Sequence, residues 1–435
     1  MSGGGVRDGG PEDAAARSSR RELLGLAAVF AIASYGTTVN GVAAPYLARS
    51  FGLDDAAVAR MFGWIALNGA LVLWLARLLD RLGRRRILRA SILGLAAGGL
   101  ASAGAPTLLL FVVAQIGTHA CLNTTITAAT VMVTEELPLA RRARGQSMTA
   151  FLGGFGSGVA LLLVASLSDR EWVWRVAWGL IAVPLFVFLR FFSALPETRR
   201  WENAAGRGEV AKARASDAWR GAHRPRTAGL VLHVLLGSIA GTAAGSWPYY
   251  HLVHTLGMSA SLASVILFGG GLSGAVGFFV AGRFCDRFGR RATLAAAAFT
   301  FNAAMVAFYL LPDGATAWLP LGLLFGAASV AGNASIVAFR TLATELFPTR
   351  IRSTVIGWFS VTGLVAAVAS NFATSALTQV TGSLAEAIAW IALLIVPACL
   401  ALLVLVPETR GLELEEASLE RSGEPAQHGA EPEWR

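Results

Sequence analysis

The feature that most constrains this chain is a series of long apolar segments separated by short charged turns. Each segment has about 20 residues, the length that an α-helix needs to cross the hydrocarbon core of a bilayer. In hydrocarbon every backbone N–H and C=O group must be hydrogen-bonded internally, and these segments lack the period-two alternation of barrel strands, so we expect helices. We count twelve, named spans 1–12 in chain order: 23–46, 58–78, 87–106, 108–134, 146–168, 173–195, 228–252, 259–281, 292–312, 317–343, 353–379 and 386–406.

The composition supports a membrane protein. Charged residues make up 14% of the 435 residues and hydrophobic residues 55%, with a mean hydropathy of +0.58. A soluble globular protein carries about 25% charged residues. The first 22 residues are rich in glycine and charge, which predicts a disordered tail and no cleavable signal peptide.

The arginines predict which way the chain crosses the membrane. If both ends are cytoplasmic, the basic residues crowd the tails and the turns of that same side. The outer turns and the span ends beside them then carry only Arg49, Arg60, Arg170 and Arg175. Because Lys and Arg concentrate in cytoplasmic loops, we expect both termini in the cytoplasm and the protein in the plasma (inner) membrane.

The net charge and the cysteines argue against several other classes of protein. A basic cytoplasmic face lying on anionic lipids accounts for the net charge of +9, and no nucleic-acid-binding motif accompanies it. Cys121, Cys285 and Cys399 lie in or beside different spans, without CxxC or Cys/His spacing. No Walker loop occurs. We therefore expect no nucleic-acid partner, no metal and no cofactor.

Three short motifs occur twice, in the same order and at nearly the same offset. The offsets are 206, 210 and 211 residues, which indicates an internal duplication. The pairs are DRLGRR (80–85) with DRFGRR (286–291), TEELPLARR (134–142) with TELFPTRIR (344–352), and PETRRWE (196–202) with PETRGLE (407–413).

The duplication predicts two copies of a six-span unit. An even number of spans makes both copies face the same way, as in transporters with parallel repeats. We expect a cytoplasmic tail at 1–22, a first bundle at 23–202, a cytoplasmic linker at 203–226, a second bundle at 227–413 and a cytoplasmic tail at 414–435.

With these motifs the chain resembles the major facilitator superfamily. In that family a G-x-x-x-D-R-x-G-R-R turn joins helices 2 and 3, and a copy joins helices 8 and 9. The second copy here is complete from Gly282 to Arg291, and the first has Ala76 at the leading position. The E-x-x-P-x-x-x-R turns and PETR segments are similar to the sugar-porter and metabolite-symporter branches. The resemblance implies an all-α integral membrane fold of 12 transmembrane helices, in two six-helix bundles related by pseudo-two-fold symmetry.

In that family, ionic networks at the charged turns latch the bundles when the cavity opens outward. An aspartate at a helix end can pair with a neighbouring arginine and accept hydrogen bonds from a helix start. Gly83 and Gly289 permit a tight turn with positive φ. The alternative is that these charges only set topology and solvate the turns. The predicted gating residues are Asp80, Arg84, Glu135, Arg142 and Glu197 in the first half, and Asp286, Arg290, Glu345, Arg352 and Glu408 in the second.

Polar side chains inside the spans are costly and therefore mark candidate substrate contacts. In span 4, polar residues spaced by four form one stripe, and in span 7 Pro248 is expected to kink the helix between aromatic rings. The resemblance implies that spans 1, 4, 7 and 10 line a central cavity. The predicted substrate-binding residues are Asn40, Asn68, Gln115, His119, Asn123, Trp247, Tyr249 and Asn333.

These residues also have simpler interpretations. Asparagines often bond between helices, and aromatic residues near span ends anchor the helix at the membrane interface. Arg340 near the end of span 10 either binds a ligand or extends its charge to the membrane surface. The glycine-rich stretches GGFGSG (153–158) and GGGLSG (269–274) predict close helix packing, because no strand precedes them.

The acidic residues limit the chemistry of the substrate. All 27 lie in tails, turns or at span ends, so no carboxylate occupies the membrane core. Either His119 carries a coupled proton, or transport is uncoupled. A cavity without acids favours a neutral or anionic solute over an organic cation.

The sequence as a whole predicts a secondary transporter that takes up a small organic solute, a neutral or anionic metabolite, by alternating access and together with protons. The alternatives are efflux of a small molecule or drug on the same fold, and a membrane sensor that does not transport. No catalytic constellation appears within the spans, so we do not expect an enzyme. We expect a monomer whose partners are its substrate, protons and lipid.

Overall fold

A computed structural model describes residues 28–136, 139–183, 219–221, 223–311 and 318–412. These residues are helical apart from short turns and caps. Within them, nine helices are long and apolar enough to cross a membrane. Predicted spans 1 and 6 lie partly outside the described residues, and the part of span 5 whose side chains the structure describes, Gly153–Ser166, is shorter than a full span.

The helices of the first half follow the predicted spans closely. Span 1 is helical over 28–42, and a short helix follows it. In span 2 the helix is interrupted once, at Leu67. The helices after 28–42 are Ala44–Phe51, Asp55–Ala66, Asn68–Leu82, Arg84–Gly104, Leu108–Glu136, Leu139–Ser166 and Val173–Gly179.

The helices of the second half extend slightly beyond the predicted spans, and span 7 is broken. The first part of the helix ends at Gly245. The helix resumes at Pro248–Tyr250 and continues into a π-helical turn, His251–Thr255. The predicted kink at Pro248 is confirmed, since proline lacks the N–H that a continuous helix requires. The remaining helices are Ala260–Phe288, Arg290–Leu310, Trp318–Glu345, Thr349–Thr381, Leu384–Ala392 and Ile395–Leu405.

Local sequence accounts for several helix ends. The Asp54 carboxylate accepts a 2.6 Å hydrogen bond from the Ala57 N–H and caps span 2. Ser383 caps span 12 in the same way, accepting from the Glu386 N–H at 3.3 Å. The predicted positive φ of the two DRxG turns is confirmed, with φ 97° at Gly83 and 96° at Gly289.

Glycine allows the spans to approach one another closely. A Cβ at Gly156 would collide with the Ala31 carbonyl, and a Cβ at Gly277 with the Val330 carbonyl. At Gly270 a Cβ would lie 2.5 Å from the Phe325 ring. Because lipid tails are as apolar as the helices, such close packing is a main source of helix association in membranes. The packing predicted for the glycine-rich stretches is therefore confirmed.

The chain divides into two compact units, which differ slightly from the sequence repeat. The first unit groups Met1–Glu209 with Tyr249–Phe268, and the second groups Val210–Pro248 with Gly269–Arg435. The end of span 7 and the start of span 8 therefore pack in the first unit. The core of the second unit is a cluster of buried side chains from spans 7 to 12 that includes Leu230, Phe347 and Leu402.

Candidate functional site

The second unit contains a cavity of about 1220 Å³. It lies among spans 7, 9, 10 and 11, with single contributions from spans 8 and 12. Glycine and alanine on spans 7 and 10 leave the space open, because their side chains are small. The cavity is larger than the 300–1,000 Å³ typical of small-molecule pockets, so a small organic solute fits with room for water.

The lining of this cavity is mostly apolar, with polar groups on every main helix. Among the described residues it contains no aspartate or glutamate, and its only permanent charge is Arg340. The aromatic rings come from Phe301, Phe339 and Phe359. The polar lining side chains are His233, Ser238, Thr242, Ser246, Asn302, Ser329, Asn333, Ser335, Arg340, Thr344 and Ser360.

Of the predicted substrate residues in the second half, Asn333 lines the cavity. Its side-chain amide donates a 2.9 Å hydrogen bond to the Gly274 carbonyl of span 8. Trp247 and Tyr249 are buried, with 0% and 3% of their surface exposed, and neither belongs to the cavity lining. Both rings pack into protein, so the assignment of these two residues to the substrate remains a prediction.

In the first unit, span 4 buries two of its predicted substrate residues. Gln115 is fully buried, and neither atom of its side-chain amide has a hydrogen-bond partner among the described residues. His119, one turn later, is 8% exposed, and its Nε2 likewise has no partner in the described part of the chain. The imidazole lies edge-on to the Trp178 ring of span 6, with 5.9 Å between ring centres.

The third residue of that stripe, Asn123, bonds across to span 2. Its Nδ2 donates a 3.1 Å hydrogen bond to Oδ1 of Asn68, whose own Nδ2 donates to the Ile65 carbonyl at 2.8 Å. Asn333 makes the equivalent contact in the second unit, from span 10 to span 8. The two asparagines thus occupy equivalent positions of the repeat and both hold neighbouring helices together. Asn40 of span 1 is half-buried.

The charged turns of the second unit form a connected network around Glu408. Gly289 cannot cap the helix that follows it, because it has no side chain. The Glu408 carboxylate takes this role from the end of span 12, accepting from the N–H groups of Arg290 at 2.8 Å and Arg291 at 3.1 Å. A carboxylate at a helix start also faces the positive end of the helix dipole.

A second carboxylate extends this network to span 10. The Arg290 guanidinium lies 3.2 Å from Glu345, and the Thr409 hydroxyl donates a 2.5 Å hydrogen bond to the same carboxylate. Arg291 donates to the Leu403 and Val406 carbonyls, at 3.0 and 2.9 Å, and so satisfies the end of span 12. The turn between spans 8 and 9 is therefore tied to the ends of spans 10 and 12.

Two other predicted gating residues of the second half, Asp286 and Arg352, make contacts that differ from those predicted. The Asp286 side chain is 78% exposed and reaches only Arg290, one turn along the same helix at 3.6 Å, among the described residues. The Arg352 guanidinium donates to the Phe347 carbonyl, at 3.3 Å from Nε and 3.2 Å from Nη2. In the described part of the chain Arg352 thus contacts a helix end where we expected a carboxylate.

The network predicted for the first half lies outside what the structure describes. The side chains of Asp80, Arg84, Glu135 and Arg142 fall outside the described side chains, and Glu197 lies outside the described residues.

One polar cluster of the first unit escaped the sequence analysis. The Tyr250 hydroxyl donates a 2.6 Å hydrogen bond to Asp55, and His254 Nε2 lies 3.6 Å from the same carboxylate oxygen. Tyr250 and His254 lie at least 195 residues from Asp55 along the chain, so no local sequence pattern predicts the contact.

Comparison with known proteins identifies a family, two similar relatives and a similar solved structure. A family model described as Major Facilitator Superfamily matches residues 26–370 and, again, 230–430. The "Probable 4-methylmuconolactone transporter" of Cupriavidus pinatubonensis is 26% identical over 411 residues, covering 93% of this chain and 94% of that protein. The "Probable inositol transporter 2" of Arabidopsis thaliana is 31% identical over 135 residues, which are 31% of this chain and 23% of that protein.

A solved structure is similar over nearly the whole chain. The inward open conformation of the xylose transporter XylE from E. coli aligns with a TM-score of 0.68 and 20% identity, covering 92% of this chain and 98% of that one. At this level of identity the likeness establishes the fold.

Proposed function

The chain belongs to the Major Facilitator Superfamily, and from this premise we propose that it takes up a neutral or anionic organic metabolite together with protons. The chain is a multi-pass secondary transporter of small metabolites and not an enzyme. The all-helical membrane fold expected from the sequence is confirmed.

The observation that carries the proposal is the cavity of the second unit. It offers hydroxyl and amide groups from spans 7, 10 and 11 beside apolar walls, and its described lining has no carboxylate. Such a lining hydrogen-bonds a neutral or anionic solute and offers no counter-charge for an organic cation. We further propose that both chain ends face the cytoplasm, following the arginine distribution.

Proton coupling is the second part of the proposal, with His119 as the proton site. Imidazole is the side chain whose ordinary titration falls between pH 5 and 8. The Nε2 atom of His119 supports this role, since it is buried, has no partner among the described residues, and is therefore open to a proton or a water. Uncoupled transport is the alternative for this step.

The latch is the third part. We propose that Glu345, Arg290 and Glu408 hold the ends of spans 8, 10 and 12 together, and that this cluster changes partners when the cavity opens. The repeat implies a matching cluster in the first half.

The test is uptake by cells that carry the gene, compared with cells that lack it. Radiolabelled 4-methylmuconolactone, inositol and xylose form the first panel, because they are named for the similar proteins. We expect gene-dependent accumulation of one of them, abolished by a protonophore. Gene-dependent depletion from the cell interior would instead indicate efflux. A chain that moves none of these, yet changes a cellular response to one, would indicate a sensor.

A further inference from the structure

Arg340 is a positive charge that faces the cavity of the second unit. It belongs to the helix Trp318–Glu345 and is exposed, and its surface contributes to the cavity lining. It lies five positions before the helix end at Glu345, which places it about 7.5 Å inside that end.

The Arg340 guanidinium has no partner among the described residues. Within the described chain, Arg340 forms a side-chain hydrogen bond only through its backbone carbonyl, which accepts from the Thr344 hydroxyl at 3.0 Å. The two acids of the cluster around Glu408 contact other groups. Glu345 contacts Arg290 and Thr409, and Glu408 caps the helix that begins at Arg290.

The duplication shows that this charge is not part of the repeated topology signal. At the offset of 210 that aligns the TExxP motifs, the equivalent of Arg340 is Thr130. The charge is therefore present in one half only, whereas the arginines of the turns recur in both.

The surroundings of Arg340 suit an acid with an apolar body. Phe339, Phe359 and Ile356 line the same cavity, and the Ser360 hydroxyl adds a polar group. A guanidinium presents parallel N–H groups in a planar fork that matches the two oxygens of a carboxylate. Because the guanidinium of Arg340 is exposed to the cavity and has no counter-charge among the described residues, its N–H donors are available to an anionic ligand.

We propose that the cavity takes an organic monocarboxylate and that Arg340 binds its carboxylate group. This rests on the proposed transport function and narrows its substrate class from neutral or anionic to anionic. The hydrophobic part of the substrate packs against the aromatic rings of spans 10 and 11.

The test measures binding to the full-length purified protein with matched acid and amide probes. Benzoate with benzamide, phenylacetate with phenylacetamide, and hexanoate with hexanamide each differ only in the charged group. We expect the acids, and not the amides, to bind by isothermal titration calorimetry. Arg340→Gln should weaken binding of the acids by at least about tenfold, because it removes the charge-assisted hydrogen bonds to the carboxylate.

Two further variants keep the result interpretable. Arg340→Lys preserves a positive charge without the planar fork, so binding should fall to a value between wild type and Arg340→Gln. Arg224→Gln removes an exposed arginine of the same unit that does not line the cavity, and should leave binding unchanged. Each variant is first shown to be monodisperse, and if Arg340→Gln fails to fold, Arg340→Lys carries the comparison.

Three outcomes would overturn the assignment: none of the acids binds, the amides bind equally well, or Arg340→Gln binds the acids as wild type does. The last outcome would mean that Arg340 only extends its charge to the membrane surface. Gene-dependent uptake of a neutral solute by the Arg340→Gln variant would contradict the assignment of Arg340 to a carboxylate site and would leave the proposed transport function intact. Absence of any gene-dependent transport would instead remove the proposed function itself.

Discussion

Tyr250 donates a 2.6 Å hydrogen bond to the carboxylate of Asp55 and thereby ties the end of span 7 to the start of span 2 within the first unit. Asp55 lies in the first turn of its helix, where a negative charge is favoured by the helix dipole. The ring of Tyr250 is also 4.7 Å from that of His254, which approaches the same carboxylate. The contact explains why Tyr249–Phe268 packs with the first unit.

Replacing Tyr250 by phenylalanine tests this hydrogen bond. Tyr250→Phe keeps the ring and removes the hydroxyl, so the free energy of unfolding should fall by about 1–2 kcal/mol. Thermal unfolding of the purified protein in detergent measures the change.

His254→Gln serves as the matched variant. The His254–Asp55 pair is 3.6 Å long and about one-third of each side chain is exposed, so its loss should cost less than about 1 kcal/mol. A larger loss from His254→Gln than from Tyr250→Phe would show that the ionic contact, and not the hydrogen bond, holds the segment.

Gly289 is the second test, because its conformation and its neighbour both exclude a side chain. With φ 96° and ψ 159° the backbone lies in a region open essentially to glycine alone, and a Cβ would collide with the Glu408 carboxylate. Gly289→Ala should therefore destabilise the protein by about 2–4 kcal/mol and reduce transport.

Gly382 provides the control for backbone strain. Gly382 has φ 72° and open space where a Cβ would stand. The free energy of unfolding of Gly382→Ala should therefore fall only by the cost of the left-handed conformation, about 1–2 kcal/mol. If the two alanine variants unfold at the same temperature, the Glu408 cap contributes nothing to the turn.

Glu345 and Asp286 should differ although both are acids of the predicted latch. Glu345 is 22% exposed and holds Arg290 and Thr409, whereas Asp286 is 78% exposed and makes a single pair along its own helix. We expect Glu345→Gln to lower the free energy of unfolding by about 1–3 kcal/mol and Asp286→Asn by less than about 0.5 kcal/mol.

Transport measured on the same two variants separates stability from gating. Loss of transport in Asp286→Asn, at unchanged thermal stability, is the result expected if this acid exchanges partners during the cycle. Full transport in both variants would contradict the latch.

Features that depend on neighbouring residues could be predicted from the sequence. Pro248 breaks span 7 because its ring removes a backbone donor, and Gly83 and Gly289 take positive φ because the DRxG turn is tight. The spans were predictable for the same reason, since hydrocarbon requires a long apolar helix wherever the chain crosses it.

Contacts between helices depend on how each helix is rotated about its axis, and the local sequence does not determine that rotation. Residues spaced by four drift by about 40° per step around a helix. Gln115, His119 and Asn123 accordingly meet different surroundings: a fully buried site, the Trp178 ring and the Asn68 amide. The partner of each side chain is set by tertiary packing.

His119 provides the last prediction, because it is the only candidate for a proton site among the predicted substrate residues. His119→Gln keeps a polar side chain of similar reach and removes the imidazole, the ring that can accept and release a proton. If His119 carries the coupled proton, the variant should lose protonophore-sensitive accumulation, and the substrate concentration inside the vesicles should no longer exceed the concentration outside. It should retain exchange of labelled for unlabelled substrate across proteoliposomes, since exchange needs no net proton movement. Exchange thus acts as the internal control for folding and binding.

Accumulation that persists in His119→Gln would place the proton elsewhere, and loss of both activities would make His119 a structural contact of Trp178.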